Sequence, residues 1–171
     1  MDRPQRVLHI APEFFLQQQL KQVHGAGYVS GDVASPDAML HLDVTDLQFE
    51  DASFDVVLCS HVFEHVLDDR RAMLELQRVL RPGGWGILDA PTDESRASTY
   101  EDWSLTSPRE RQRAFGQWDH VRVYGRDYPD LLQAAGFRIE IDPLTYTPEE
   151  IRRYGLRLGL DRLYLCRRDP D

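Results

Sequence analysis

Four sets of side chains have types and spacings that could do chemistry. His61-Val62-Phe63-Glu64-His65 spells H-x-x-E-H, which on a helix would set two imidazoles four residues apart to hold zinc, with the glutamate as base. Asp119-His120 puts a carboxylate beside an imidazole, the pair needed to orient a general base, and makes His61 and His120 the candidate catalytic imidazoles. Asp32 and Asp43 each close an apolar run, where a carboxylate offers several acceptor sites to a ligand or simply caps a turn. Finally, His9-Ile10-Ala11-Pro12-Glu13-Phe14-Phe15 contains no glycine. In it, His9 reads either as a site imidazole or as a hydrogen-bonded core histidine. Glu13, in the first turn of a following helix, reads either as a ligand group or as a complement to the helix dipole.

These residues acquire positions from the pattern around them. Apolar runs over residues 7–11, 28–31, 39–44, 54–60 and 85–90 read as five strands. The run Phe54-Asp55-Val56-Val57-Leu58-Cys59-Ser60 is nearly continuous, as in a central strand covered on both faces. Pro12 suits a first helical position, and Leu16, Leu20 and Val23 make a stripe to be buried before Gly25 and Gly27 stop the helix. The connection from residue 31 to residue 39 is short enough that a crossover helix is missing. A second helix starts at Asp68 and Asp69, lines one face with Met73, Leu76 and Leu80, and is ended by Pro82-Gly83-Gly84.

Alternation of strand and helix forces parallel pairing with right-handed crossovers. Ligand chemistry then belongs at the carboxyl ends of the strands. That rule selects residues 9–15, Asp32, Asp43, Val44, Ser60, His61 and residues 89–92.

Residues 92–123 break the alternation. They are polar and aromatic, with their own helix capped by Ser107, Pro108 and Glu110. They read as an insertion within one domain spanning residues 1–171: either a lid over an organic substrate, through Tyr100, Trp103, Trp118 and His120, or a satellite core under a long loop. A helix over residues 129–135, an alternating strand through Phe137, Ile139 and Ile141, a short helix from Thr147-Pro148 and a closing strand over residues 163–166 complete the chain.

The whole chain narrows the function classes. With 42% hydrophobic and 29% charged residues among 171, it has the composition of a soluble globular domain rather than a disordered one. Twenty Lys and Arg against 29 Asp and Glu leave a net charge of −9, a field that repels nucleic acid. Cys59 and Cys166, each in an apolar run, read as small core hydrophobes and not as a disulfide framework. No run of apolar residues approaches a membrane span or a secretory h-region, which makes the cytoplasm the expected location.

Residues 7–91 resemble the core of class I S-adenosylmethionine-dependent methyltransferases of the small-molecule type. The resemblance lies in Ser53-Phe54-Asp55-Val56-Val57, then Glu64-His65-Val66, then Arg78-Val79-Leu80-Arg81-Pro82-Gly83-Gly84, in the family's order and spacing. Leu132-Gln133-Ala134-Ala135-Gly136-Phe137 resembles the family's last helix entering its sixth strand. The resemblance implies an α/β Rossmann-like methyltransferase fold. That is a mostly parallel seven-stranded sheet with helices on both faces and a terminal antiparallel strand pair.

The resemblance also implies S-adenosylmethionine as cofactor. Asp32 would accept from its ribose hydroxyls, Asp43 would take the adenine amino group, the Val44 N–H would face a ring nitrogen, and Ser60 and His61 would line the methionine end. At the first loop the family carries an acid and then glycines, whereas this chain has His9, Ala11 and Pro12. Glu13 would then present the carboxylate to the cofactor's amino group.

The expected function is methyl transfer to an O, N or C nucleophile of a small-molecule acceptor. The alternative is a catalytically inactive methyltransferase-like binding or regulatory module, its pocket filled by Phe14, Phe15 or His9. A nucleotide-dependent oxidoreductase is disfavoured, because pyrophosphate needs the missing glycines even more. For H-x-x-E-H no third ligand is identifiable, so no metal is expected.

Overall fold

The computed structural model describes residues 5–142, 147–154 and 163–170. Strand β1 (Val7–Ile10) is buried at all four positions, as an apolar run covered on two faces must be. It leads to helix α1 (Phe14–His24), strand β2 (Tyr28–Asp32), the two-residue strand β3 (Leu40–His41) and strand β4 (Phe54–Ser60). Helix α2 (Asp69–Val79) and strand β5 (Leu80–Asp89) follow. Residues 92–123 contain strand β6 (Tyr100–Glu101), helix α3 (Pro108–Phe115) and strand β7 (Arg122–Val123). The chain then forms helix α4 (Tyr128–Ala134), strand β8 (Arg138–Asp142), helix α5 (Pro148–Tyr154) and strand β9 (Leu163–Arg167).

The main sheet has seven strands in the order β3-β2-β1-β4-β5-β9-β8. Its first five strands pair in parallel, while β9 runs antiparallel to both β5 and β8. This is the mostly parallel sheet with a terminal antiparallel pair that the resemblance implies. Alternation along β1 and β4 sends Leu8 and Val57 to one face, with Met73 and Leu76 of α2, and Val7 and Val56 to the other, with Leu20 of α1. The helices therefore cover both faces. β6 and β7 form a separate antiparallel pair, and α3 begins with the predicted capping box, Ser107 and Glu110.

Several details differ from the sequence reading, each for a local reason. The stripe expected to bury α1 does so only through Leu20: Leu16 is 39% exposed and Val23 75%, and Gln17 is the buried residue of the helix. Its Oε1 accepts from the Ser30 hydroxyl at 2.7 Å and its Nε2 donates to the Asp37 carbonyl at 3.1 Å. A satisfied polar side chain thus occupies the contact that a hydrophobic pattern assigns to apolar ones. Glu13 is the N-cap of α1, with extended backbone, and not part of its first turn.

Only Leu40 and His41 of the run 39–44 pair as a strand, because the Asp43 carboxylate accepts from the Thr45 N–H and hydroxyl and turns the chain. As the short connection foretold, residues 33–39 form no helix. β5 starts five residues before its expected beginning, at Leu80. Pro82-Gly83-Gly84 form a bulge there, not a loop, and the register slips between Phe54 and Val56. A Cβ on Gly84 would stand 2.8 Å from the Arg81 carbonyl and 2.9 Å from that of Asp55. Cys59 and Cys166 are buried free thiols, and burial pushes Cys166 up to about 12. Among the described residues, no helix is long and apolar enough to cross a membrane.

Candidate active site

A cavity of about 680 Å³ opens at the carboxyl ends of β1, β2 and β4. Its walls hold Ala11, Asp32, Asp43, Val44 and His61 together with His65 and Asp119. The volume lies within the roughly 300–1,000 Å³ of small-molecule sites.

Each wall residue is fixed by its element. Ala11 ends β1 with φ of 48° and donates its N–H to the Gly31 carbonyl at 2.9 Å. This left-handed turn is ordinarily a glycine conformation, here adopted by the smallest residue with a Cβ. At the end of β2, Asp32 Oδ1 accepts from the Ala34 and Ser35 N–H groups at 2.6 and 2.7 Å, an Asx turn that locks the carboxylate. Gly31 lets the Leu42 side chain approach to a place where a Cβ would stand 1.9 Å from it. That close passage brings Asp43 and Val44 alongside Asp32. His61 follows β4 with φ of 55°, its N–H bonded to the Asp89 carbonyl at 2.9 Å and its Nδ1 3.6 Å from Glu64 Oε1.

His9, Glu13, Ser60 and His120 are not on this wall. His9 is buried beneath the first loop, with Nδ1 2.8 Å from the Tyr28 hydroxyl and Nε2 2.9 Å from Glu13 Oε2. Burial lowers its pKa, and the Glu13 carboxylate partly offsets that. Ser60 is half-buried at the end of β4. His120 lies behind the wall, its ring edge-to-face with His65 at 4.7 Å between centroids. Burial and the neighbouring His65 lower its pKa, opposed by Glu64 and Asp119.

The stretch 61–65 is no single helix; only Phe63–His65 form a 3-10 turn. His61 and His65 therefore do not sit as an i, i+4 pair on one face.

Sequence reasoning missed His65 and Asp119 as wall residues. Asp119 Oδ2 lies 3.3 Å from His65 Nδ1, so the carboxylate that was expected to orient its neighbour His120 pairs with His65. Also missed was Arg122, 1% exposed. It donates to the carbonyls of Phe63 at 2.6 Å, Leu67 at 3.0 Å and Val66, and to Glu101 at 2.6 Å. Nothing local in the sequence distinguishes it from the solvated arginines nearby. A second cavity, about 530 Å³, shares Leu67 and Asp68 with the first and is walled by Thr99, Trp103 and Arg122.

Residues 14–88 match the family described as methyltransferase domain. Over that segment, just under half of its length, the chain is similar to S-adenosylmethionine-dependent methyltransferases. Over 128 residues, 70% of the chain, it is 31% identical to an uncharacterized 37.1 kDa protein in transposon Tn4556 of Streptomyces fradiae, of which it covers 35%. A demethylmenaquinone methyltransferase of Mycobacterium sp. (strain KMS) is 32% identical over 108 residues, 56% of this chain and 47% of that protein. The chain thus spans less than half the length of either curated relative. In fold it is similar to an S-adenosylmethionine dependent methyltransferase from Mesorhizobium loti, with a TM-score of 0.67 at 19% identity, covering 96% of this chain and 91% of that one.

S-adenosylmethionine is the cofactor named for the Mesorhizobium loti protein, and the cavity meets its chemistry. Two carboxylates stand at the ends of β2 and β3, where hydroxyl and amino donors need acceptors, and Ile10, Leu42 and Val44 supply apolar wall.

Proposed function

We propose that this domain binds S-adenosylmethionine in the 680 Å³ cavity and transfers its methyl group to an O, N or C nucleophile of a small organic molecule. The observation that carries the reading is the convergence of Ala11, Asp32, Asp43 and Val44, from the three turns after β1, β2 and β3, on one cavity of ligand size. Asp32 and Asp43 would accept hydrogen bonds from the ribose hydroxyls and the adenine amino group, and the Val44 backbone would meet the ring. His9 and Glu13 support the loop from beneath as positioning residues. The side chains that a non-catalytic module would use to fill the cavity, His9, Phe14 and Phe15, are absent from its wall.

When bound, the cofactor supplies an electrophilic methyl on its sulfonium, so the chain's task is to place a nucleophile in line and, for a hydroxyl, to take its proton. His61, which shares the cavity wall with His65, is the imidazole assigned to an acceptor; His120 packs against His65 off that wall. The adjoining cavity walled by Trp103 and Thr99 gives the acceptor a place beside the first. Small organic acceptors are supported by the demethylmenaquinone methyltransferases among the relatives. A net charge of −9 argues against nucleic acid.

Calorimetric titration with S-adenosylmethionine and its demethylated product tests the reading. Asp32→Asn keeps Oδ1 for the turn but removes the charge. It should weaken binding by about 10- to 100-fold, the worth of hydrogen bonds to a charged acceptor. No binding by the unaltered chain, or an unchanged affinity in the variant, would overturn it.

A further inference from the structure

We propose that Glu64, His65 and His120 form a binding site for a divalent transition-metal cation of the zinc kind, at the edge of the active-site cavity. One carboxylate oxygen of Glu64 and one ring nitrogen of each histidine lie within 4.8 Å of one another. Ligands held about 2.1 Å from a tetrahedral ion stand about 3.4 Å apart, so small side-chain rotations close the set. Two imidazoles and a carboxylate are a ligand set that zinc and its neighbours take from proteins.

An independent observation points to the same place. Glu64 is 2% exposed, and its Oε2 is a buried oxygen without a hydrogen-bond partner among the described residues. A buried carboxylate oxygen left without a partner costs free energy that a cation would recover. The outer contacts of the set are also those of a metal centre. The Asp119 carboxylate stands 3.3 Å from His65 Nδ1, the partner that orients a metal-bound imidazole and leaves the other ring nitrogen for the ion.

The site is preformed from two distant segments. The Val121 N–H donates to the Glu64 carbonyl at 2.8 Å, holding His120 beside the 3-10 turn. Arg122 clamps the same turn through the carbonyls of Phe63, Val66 and Leu67. His61, the third imidazole of the H-x-x-E-H string, is outside the set, which is why that spacing alone does not find it. Three protein ligands leave a fourth position. His65 and Asp119 line the cavity, so that position opens toward it and could take water or an oxygen of the acceptor.

The test is made without S-adenosylmethionine, so its outcome is separate from that of the methyltransferase reading. Chelator-treated full chain is titrated with Zn²⁺ against a competing dye, and with Co²⁺ followed by its visible absorption. One Zn²⁺ per chain and the intense bands of four-coordinate Co²⁺ are expected. Asp119→Asn should weaken Zn²⁺ binding by about 10- to 100-fold, as loss of an outer-sphere partner does. Glu64→Gln and His120→Gln should weaken it more, and His24→Ala, remote from the set, should leave it unchanged. Circular dichroism establishes that each variant is folded. The proposal is overturned by absence of stoichiometric Zn²⁺ binding, or by unchanged affinity in folded Glu64→Gln and His120→Gln chains. If those variants do not fold, the unaltered chain decides: a Co²⁺ spectrum like that of the hydrated ion overturns the site.

Discussion

At the scale of single residues, His9 shows how a loop without glycine is held. Burial pushes the Tyr28 phenol up to about 12, so it remains a hydroxyl that donates to His9 Nδ1, while Nε2–H donates to Glu13. The neutral ring is satisfied on both sides, and burial lowers its pKa. An unfolded histidine takes up a proton near pH 6.5, whereas His9 in the fold does so only at lower pH. Between those values the folded chain binds fewer protons. Its stability is therefore full above about pH 6.5 and declines as pH falls toward the folded value. An NMR titration of the ring should give a midpoint below 6.5. Because the Glu13 carboxylate raises the pKa, Glu13→Gln should move the midpoint lower still. A midpoint at or above 6.5, or an upward move in the variant, contradicts this account.

At the scale of elements, the important joint lies between the turn after β4 and strand β7. Arg122 Nε contacts Glu101 at 2.6 Å and Asp69 at 3.4 Å, and the Tyr124 hydroxyl donates to Asp69 at 2.6 Å. The guanidinium's remaining N–H groups are spent on three carbonyls of residues 63–67. Removing it strands the buried Asp69 carboxylate and three carbonyls at once, so Arg122→Met should cost about 3–5 kcal/mol in urea unfolding. Arg122→Lys should restore only part of that, since an ammonium cannot fork to several acceptors in one plane. A loss below about 1 kcal/mol in the Met variant would mean that the clamp contributes packing and little else. The same joint places Asp119 and His65 on the cavity wall, so it links the segment over residues 92–123 to the site.

At the scale of the whole molecule, the two faces of the sheet are unequal. The face under α2 buries Leu8, Val57, Met73, Leu76 and Leu80 in one continuous apolar core, whereas the apolar cluster under α1 has only Val7, Tyr28 and Val56 fully buried among the described residues. α1 leaves Phe15 81% and Val23 75% exposed. Substitutions there should accordingly be mild: Phe15→Ser and Val23→Ser should each shift stability by no more than about 0.5 kcal/mol. Leu76→Ala, in the deep core, should cost about 2–5 kcal/mol. Equal losses at the two faces would show that the α1 stripe is part of the core after all.

The alternation of strands and helices along the chain was legible because a period of two and a period near 3.6 are local signals that tertiary packing then respects, while the terminal antiparallel pair was implied by the resemblance to a family. The candidate residues at strand ends were legible for the same reason: parallel topology puts the carboxyl ends of β1, β2 and β4 on one rim. Three things escaped local pattern. Gln17 took a buried place on α1, beside Leu20, because two hydrogen bonds satisfied it. Arg122 was buried because five oxygen-bearing partners met around it. Glu64 and His65 met His120 across 55 residues because a backbone hydrogen bond from Val121 joined two turns. Periodicity records which face a residue presents; only the folded chain decides which polar groups find one another there.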